Sequence, residues 1–218
     1  MMVLYLLGGM APPIVVFTLL IKNKVMPAKQ LFKTVFSVKQ PILMYACIIG
    51  FLVLYFCVGA LVGLIDYVSP VYLSLLTFPV MLVGGGFEEV GWRYMLQPAL
   101  EKRFPFVIAS SITAVVWALW HIPLFYMEGT SQYNSSFALF AILTFAGAFI
   151  LAAIYRLSKS VWLCISFHAL SNCLYGSFMP RMELFEQGFV PTVLVTAVCV
   201  VVSILVVILT KKQQKHAI

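Results

Sequence analysis

Three ionisable side chains interrupt a stretch of the sequence that is otherwise apolar. Glu88, Glu89 and Arg93 lie in the segment Phe87–Arg93, which follows the apolar run Val71–Val83. Such groups are costly in an apolar environment unless they pair or face a polar cavity. On a helix, Glu89 and Arg93 share a face and can pair, whereas Glu88 is displaced by about 100° around the axis. The spacing therefore leaves Glu88 free to contact another group.

Further polar side chains interrupt two later apolar runs. The pattern Trp117-x-x-x-His121 places an aromatic residue one helical turn from a histidine, and His168-x-x-x-Asn172 places an amide one turn from another. An isolated histidine in an apolar helix is often explained by a hydrogen bond between helices. Two histidines, an asparagine and an unpaired carboxylate on three helices instead favour one shared site.

These side-chain types fit the hydrolysis of an amide bond by activated water. A carboxylate beside a neutral imidazole can accept a proton from water, and imidazole and amide N–H groups can stabilise an oxyanion. Neither a catalytic serine or cysteine nor a cofactor is required. The alternative is a zinc ion bound by Glu88, His121 and His168, with water as the fourth ligand. No His-Glu-x-x-His pattern supports it, so we rank zinc second.

The composition indicates how these groups are held. The chain has 218 residues, of which 63% are hydrophobic and 10% charged. This is typical of an all-α, polytopic transmembrane helix bundle. The long uniform apolar runs exclude a transmembrane barrel, whose strands alternate apolar and polar residues. The net charge of +7 resides mainly in segments between the apolar runs. There it acts as a topology signal, so we expect no nucleic-acid partner.

The apolar runs predict about seven spans in a single membrane domain, residues 1–218. The third is too long for one simple crossing, and we expect it to bend or break at Gly84-Gly85-Gly86. The basic segment Lys22–Gln40 is expected to be a loop or an amphipathic surface helix, and Asp66–Pro70 an acidic turn. The predicted spans are Met2–Ile21, Ile42–Ile65, Val71–Leu100, Phe106–Phe125, Phe137–Tyr155, Val161–Phe178 and Val190–Leu209.

The distribution of lysine and arginine predicts the orientation. If Lys22–Gln40 is cytoplasmic, seven crossings place nearly all the other loop lysines and arginines on the same side, and Arg181 alone in an outer loop. By the positive-inside rule, the N-terminus is then outside and the C-terminus cytoplasmic. We expect a multi-pass protein of the cell membrane.

Taken together, the three motifs resemble those of the CPBP (Abi) family of intramembrane proteases, which includes the type II CAAX prenyl endopeptidases. The family motifs occur in the same order on successive core helices, and the resemblance covers about Val71–Phe178, the expected catalytic core. It implies an endopeptidase that cuts a membrane-associated or lipidated peptide or protein within the bilayer. Small bacterial members resemble proteins of bacteriocin self-immunity or peptide processing.

The resemblance also implies a role for each matched residue. These roles are water activation by Glu88 and His121, an oxyanion hole formed by His168 and Asn172, and structural support from Glu89, Arg93 and Trp117. The family usually has phenylalanine at the position of Trp117 and commonly near Gly91-Trp92. We expect the departure at Trp117 to alter packing more than chemistry, and neither departure removes a proposed catalytic group.

Two other functions are compatible with the same residues. A non-catalytic immunity or scaffold protein would sequester a membrane peptide without cutting it. A transporter would use glutamate and histidine as a proton relay. The odd number of predicted spans and the absence of a repeat with paired broken helices argue against the transporter.

Overall fold

The computed structural model describes residues 2–181 and 185–216, and this part of the chain is predominantly helical, as expected. The α-helices are α1 (Met2–Lys22), α2 (Ala28–Val35), α3 (Ile42–Leu61), α4 (Val71–Leu75), α5 (Phe78–Gly84), α6 (Gln97–Glu101), α7 (Phe106–Trp120), α8 (Phe137–Ser158), α9 (Val161–Leu174) and α10 (Phe185–His216). Two short strands, β1 (Ile65–Tyr67) and β2 (Phe178–Pro180), form an antiparallel pair.

Several helices are long and apolar enough to cross a membrane. Within the described residues there are four, at Ile42–Leu61, Phe106–Tyr126, Phe137–Ser158 and Glu186–Thr210. The shorter apolar helices are Gly8–Lys22 and Val161–Leu174. The helical membrane class is therefore supported, whereas the count of seven spans and the orientation of the termini remain predictions.

The third predicted span is broken, and the break occurs at the expected glycines. After α5, a 3₁₀ turn covers Gly86–Glu88 and a π-helix covers Val90–Leu96, before α6 begins. Gly86 allows this close packing, because a Cβ there would lie 3.0 Å from the carbonyl oxygen of Ile165 in α9. The π-helix corrects the assumption of a regular α-helix over Phe87–Arg93. Such π segments are frequent at functional sites.

The predicted acidic turn at Asp66–Pro70 is wrong in its first residues, since Asp66 lies in β1 and pairs with β2. The carboxylate accepts hydrogen bonds from Nε and Nη2 of Arg181, both at 2.5 Å. The hydrogen bond from Arg181 lowers the pKa of Asp66 below its ordinary value. Strand pairing also corrects the sixth predicted span, because α9 ends at Leu174 and Phe178 belongs to β2.

The other end of the bundle is joined by contacts between helix termini. Nη1 of Arg156, near the end of α8, lies 2.8 Å from Oε2 of Glu101, at the end of α6. Nε1 of Trp162, near the start of α9, donates to the hydroxyl of Tyr45 in α3 at 3.2 Å. These contacts place the ends of α6 and α8 together, and the starts of α3 and α9 together.

Helix α8 packs against α7 and α10 and contributes much of the core. Its buried face includes Ala146, Ala148 and Ala153. Small side chains allow helix backbones to approach closely where no hydrophobic effect drives them together. The bundle thus holds α7 and α9, which carry the histidine motifs, against the broken segment that carries the glutamates.

Candidate active site

Glu88 ends the 3₁₀ turn and is buried, with 4% of its surface exposed. Its Oε2 accepts two indole N–H hydrogen bonds, from Trp92 at 3.1 Å and from Trp117 at 2.9 Å. Hydrogen bonds of this kind fix the orientation of a carboxylate and compensate for its burial. The role of Trp92 was not predicted, although its i,i+4 spacing from Glu88 was a visible signal in the sequence.

Trp92 and Trp117 contribute hydrogen bonds as well as packing. Phenylalanine has no N–H group and could not make either hydrogen bond to Glu88. The ring of Trp117 also lies beneath the guanidinium of Arg93, 4.6 Å from its carbon. The same ring packs edge-on against the imidazoles of His168 and His121, at centroid distances of 5.2 and 5.8 Å. Trp117 thus contacts residues of all three motifs.

Glu89 and Arg93 form the ion pair that their spacing predicts. Nη1 of Arg93 lies 3.1 Å from Oε2 of Glu89, and both side chains are fully buried. Glu89 has a second partner, because its Oε1 lies 2.8 Å from Nδ1 of His168. This contact between Glu89 and His168 was not predicted from the sequence. A buried pair with additional hydrogen bonds avoids leaving an uncompensated charge, so Glu89 links the broken segment to α9.

His121 caps the C-terminus of α7, where the chain changes to a 3₁₀ helix at Ile122–Tyr126. Its Nδ1 lies 2.8 Å from the carbonyl oxygen of Trp117. A carbonyl can only accept, so Nδ1 carries the hydrogen. In the neutral ring, Nε2 therefore keeps its lone pair, as a proton acceptor requires. The ring is held from the side by Phe140, at a centroid distance of 5.1 Å.

His168 and Asn172 lie on one face of α9, beside the backbone of Gly85. A Cβ at Gly85 would lie 2.5 Å from Nδ2 of Asn172 and 3.2 Å from Nε2 of His168. Only glycine lets both side chains approach the broken segment this closely. Nδ1 of His168 donates to the Glu89 carboxylate and therefore carries a hydrogen. Nε2 carries a second hydrogen only when the ring is an imidazolium. The role of Gly85 beside His168 and Asn172 was not predicted from the sequence.

One cavity of about 800 Å³ connects these groups. Glu88, His121, His168 and Asn172 all line it, together with Trp117. The four residues expected to be catalytic therefore line one cavity, although they come from three separate parts of the chain. Most of the remaining wall is apolar, and includes Leu52, Ile150 and Phe167. The cavity can accept an apolar chain while its polar groups meet a peptide bond.

The alternative zinc site finds no support in the arrangement of donors. Over residues 2–181 and 185–216, no three histidine, cysteine, aspartate or glutamate side chains are grouped closely enough to hold a metal ion. The set considered for zinc was Glu88, His121 and His168. In both histidines Nδ1 is engaged, by a carbonyl in His121 and by Glu89 in His168, which leaves Nε2 as the ring atom that faces other partners.

The fold and the site together define a helical integral membrane protein with a polar cavity between its helices. Comparison with known proteins shows what part of the chain is similar to. Residues 70–174 match the sequence profile of the type II CAAX prenyl endopeptidase, Rce1-like family. This match confirms the resemblance that the three motifs predicted, and residues 70–174 carry the family region.

One curated relative is a CAAX prenyl protease 2 from Methanococcus maripaludis. It is 32% identical over 100 residues, which are 43% of this chain and 37% of the relative. The chain therefore matches little more than a third of that protein. The matched family region contains all three motifs and ends two residues after Asn172.

Proposed function

We propose that this protein is an intramembrane endopeptidase that hydrolyses a peptide bond in a membrane-associated or lipidated peptide or protein. The observation that carries the proposal is the shared cavity, which is lined by Glu88, His121, His168 and Asn172. The family of residues 70–174 supports peptide hydrolysis as the reaction. The cell membrane and the cytoplasmic C-terminus are part of the proposal.

In the proposed reaction, Glu88 and His121 activate a water molecule. Oε2 of Glu88 is engaged by Trp92 and Trp117, which leaves Oε1 as the atom that accepts the proton. Nε2 of His121 accepts a hydrogen bond from the same water. The resulting hydroxide adds to the carbonyl carbon of the scissile peptide bond, and the C=O bond opens to an oxyanion.

The oxyanion is stabilised from α9. Nδ2 of Asn172 donates an N–H group, and Nε2 of His168 donates a second when its ring is an imidazolium. The carboxylate of Glu89, 2.8 Å from Nδ1 of His168, accepts the other N–H of that ring and orients it. When the C–N bond breaks, Glu88 returns its proton to the leaving amine. Glu89, Arg93 and Trp117 position these groups and undergo no covalent change.

The proposal is tested by replacing Glu88. Purified wild-type protein and Glu88→Gln are compared for cleavage of a peptide with a membrane-embedded or lipidated end, followed by mass spectrometry. We expect the variant to lose about a hundredfold or more of the rate. Glu128→Gln removes an exposed carboxylate in the loop after α7 and should retain full activity.

The scaffold alternative makes the opposite prediction. Mass spectrometry of membrane peptides from cells with wild-type or Glu88→Gln chains would show the same peptides in both. Any protection of cells against a membrane-active peptide would also survive Glu88→Gln and His121→Ala. Either result, with both variants properly inserted, would contradict the peptidase proposal and favour sequestration.

A further inference from the structure

The segment between α1 and α3 carries a concentration of positive charge that the proposed reaction does not use. Residues 22–40 contain five lysines and no aspartate or glutamate. All five lysines, at positions 22, 24, 29, 33 and 39, are exposed. No described ion pair uses any of them. This charge is therefore available to an external partner.

The geometry of α2 places that charge beside apolar side chains. Leu31 and Val35 are buried, with 0% and 1% of their surfaces exposed. Phe32 and Phe36 are stacked at 5.6 Å and remain 55% and 43% exposed. A helix with a buried apolar face, exposed aromatic rings and lysines is typical of a helix lying in the membrane interface. The chain enters the span α3 at Ile42, only a few residues after α2 ends.

We propose that α2 and its flanking lysines bind the headgroups of anionic phospholipids. Lysines 29 and 33 lie one turn apart on α2 and can contact the same phosphate region. The exposed rings of Phe32 and Phe36 would enter the boundary between headgroups and acyl chains. A polybasic segment at a membrane surface gains affinity for anionic lipid with each lysine. We call the segment 22–40 the lysine surface.

The lysine surface is in contact with the segment that carries the glutamates. The ring of Phe36 packs edge-on against Phe87, at a centroid distance of 5.7 Å, and Phe87 precedes Glu88. Leu31 and Val35 belong to the same buried cluster as Val90, which follows Glu89. Lipid binding that orders α2 thus constrains the residues on both sides of the glutamate pair. This consequence for activity rests on the proposed function, whereas lipid binding does not.

The binding proposal is tested on the full-length protein by native mass spectrometry after release from membranes containing phosphatidylglycerol and phosphatidylcholine. Lys29→Gln/Lys33→Gln should retain about tenfold less phosphatidylglycerol than the wild type, whereas Lys29→Arg/Lys33→Arg should retain it normally. Thermal unfolding in detergent checks that the exposed substitutions leave the fold intact. Equal retention by the wild type and the glutamine variant would overturn the proposal.

Lys102→Gln/Arg103→Gln provides a matched control. These two neighbouring basic residues are exposed, as Lys29 and Lys33 are, and lie at the end of the bundle where Arg156 pairs with Glu101. We expect this variant to retain phosphatidylglycerol like the wild type. If both glutamine variants lost phosphatidylglycerol equally, the binding would depend only on the net charge of the protein. That result would overturn the proposal that the lysine surface binds the lipid specifically.

A separate measurement distinguishes failure of the two proposals. Glu88→Gln, which we expect to be inactive, should retain phosphatidylglycerol like the wild type. In reconstituted bilayers, phosphatidylglycerol should raise the cleavage rate of the wild type and leave that of Lys29→Gln/Lys33→Gln unchanged. A rate increase of the same size in the lysine variant would contradict the coupling between α2 and Glu88.

Discussion

The indole nitrogen of Trp117 lies 2.9 Å from Oε2 of Glu88, although 29 residues separate them in the chain. Trp92 donates to the same oxygen at 3.1 Å from within the π-helix. Two donors on one carboxylate oxygen fix the plane of the carboxylate and direct the other oxygen away from them. In this protein, tryptophans hold the acid that we propose as the general base.

This relationship predicts the effect of Trp117→Phe on catalysis. The variant keeps an aromatic ring but loses the N–H group, so Glu88 keeps only the hydrogen bond from Trp92 and is held less firmly in its orientation. Loss of a hydrogen bond to a charged group should lower kcat by about 10- to 100-fold. KM should change little, because substrate contacts elsewhere in the cavity remain. Steady-state kinetics on the purified protein provide the measurement.

Trp162→Phe serves as the control, because its indole donates to Tyr45, outside the cavity. The double variant Trp92→Phe/Trp117→Phe adds a sharper test. Since both indoles bind one oxygen, we expect their effects to be non-additive. A Trp117→Phe enzyme with wild-type kcat would show that Glu88 does not depend on this hydrogen bond.

Gly85→Ala should disrupt the proposed oxyanion hole. The added Cβ would lie 2.5 Å from Nδ2 of Asn172 and must displace the amide. A displacement of catalytic groups by about 1 Å can lower a rate by up to about a hundredfold. We therefore expect kcat to fall more than KM rises. Gly50→Ala, where a Cβ meets nothing within 4 Å, should behave like the wild type.

The outcome for Gly85→Ala also separates catalysis from folding. Overpacking costs about 1–3 kcal/mol of stability, and thermal unfolding would detect such a loss. A variant with an unchanged unfolding temperature but a lower kcat supports the oxyanion hole. Wild-type kinetics in Gly85→Ala would contradict a role for Asn172 at its present position.

Some of this arrangement was accessible from the sequence, for clear physical reasons. The Glu89–Arg93 pair follows from i,i+4 spacing, and the break follows from consecutive glycines. Glu88 and Trp92 have that same spacing, yet a tryptophan among apolar residues is easily interpreted as packing. The hydrogen bond from Trp117 to Glu88 depends on how α7 is oriented about its own axis relative to the broken segment. No local sequence pattern predicts that orientation.

The small sheet was not predicted for a different reason. Each strand has three residues, which is too few to show an alternation of apolar and polar side chains. Its register pairs Asp66 with Met179 and depends on contacts between distant segments. The hydrogen bond from His168 to Glu89 is likewise a long-range contact, 79 residues apart in sequence.

Metal removal tests the proposed metal-free reaction directly. Because the described residues contain no grouped set of ligands, we expect cleavage to continue after chelation and dialysis. Elemental analysis of active protein should find zinc well below one ion per chain. Loss of cleavage on chelation, followed by recovery with zinc alone, would instead favour the site at Glu88, His121 and His168.

The Asp66–Arg181 pair predicts a pH dependence of stability. The hydrogen bond from Arg181 lowers the pKa of Asp66, so the carboxylate is more acidic in the folded protein than in the unfolded chain. The stabilisation that the ion pair gives to the folded protein is therefore fully present above the unfolded pKa of Asp66. It is lost as the pH falls through the lower, folded pKa.

The variant Asp66→Asn removes this stabilisation at every pH. The unfolding temperature of the wild type should thus be higher than that of the variant near neutral pH. This difference in unfolding temperature should shrink as the pH falls. Because both side chains are exposed, the difference should be small. A difference that stayed constant or grew at low pH would show that the ion pair does not stabilise the strand pair.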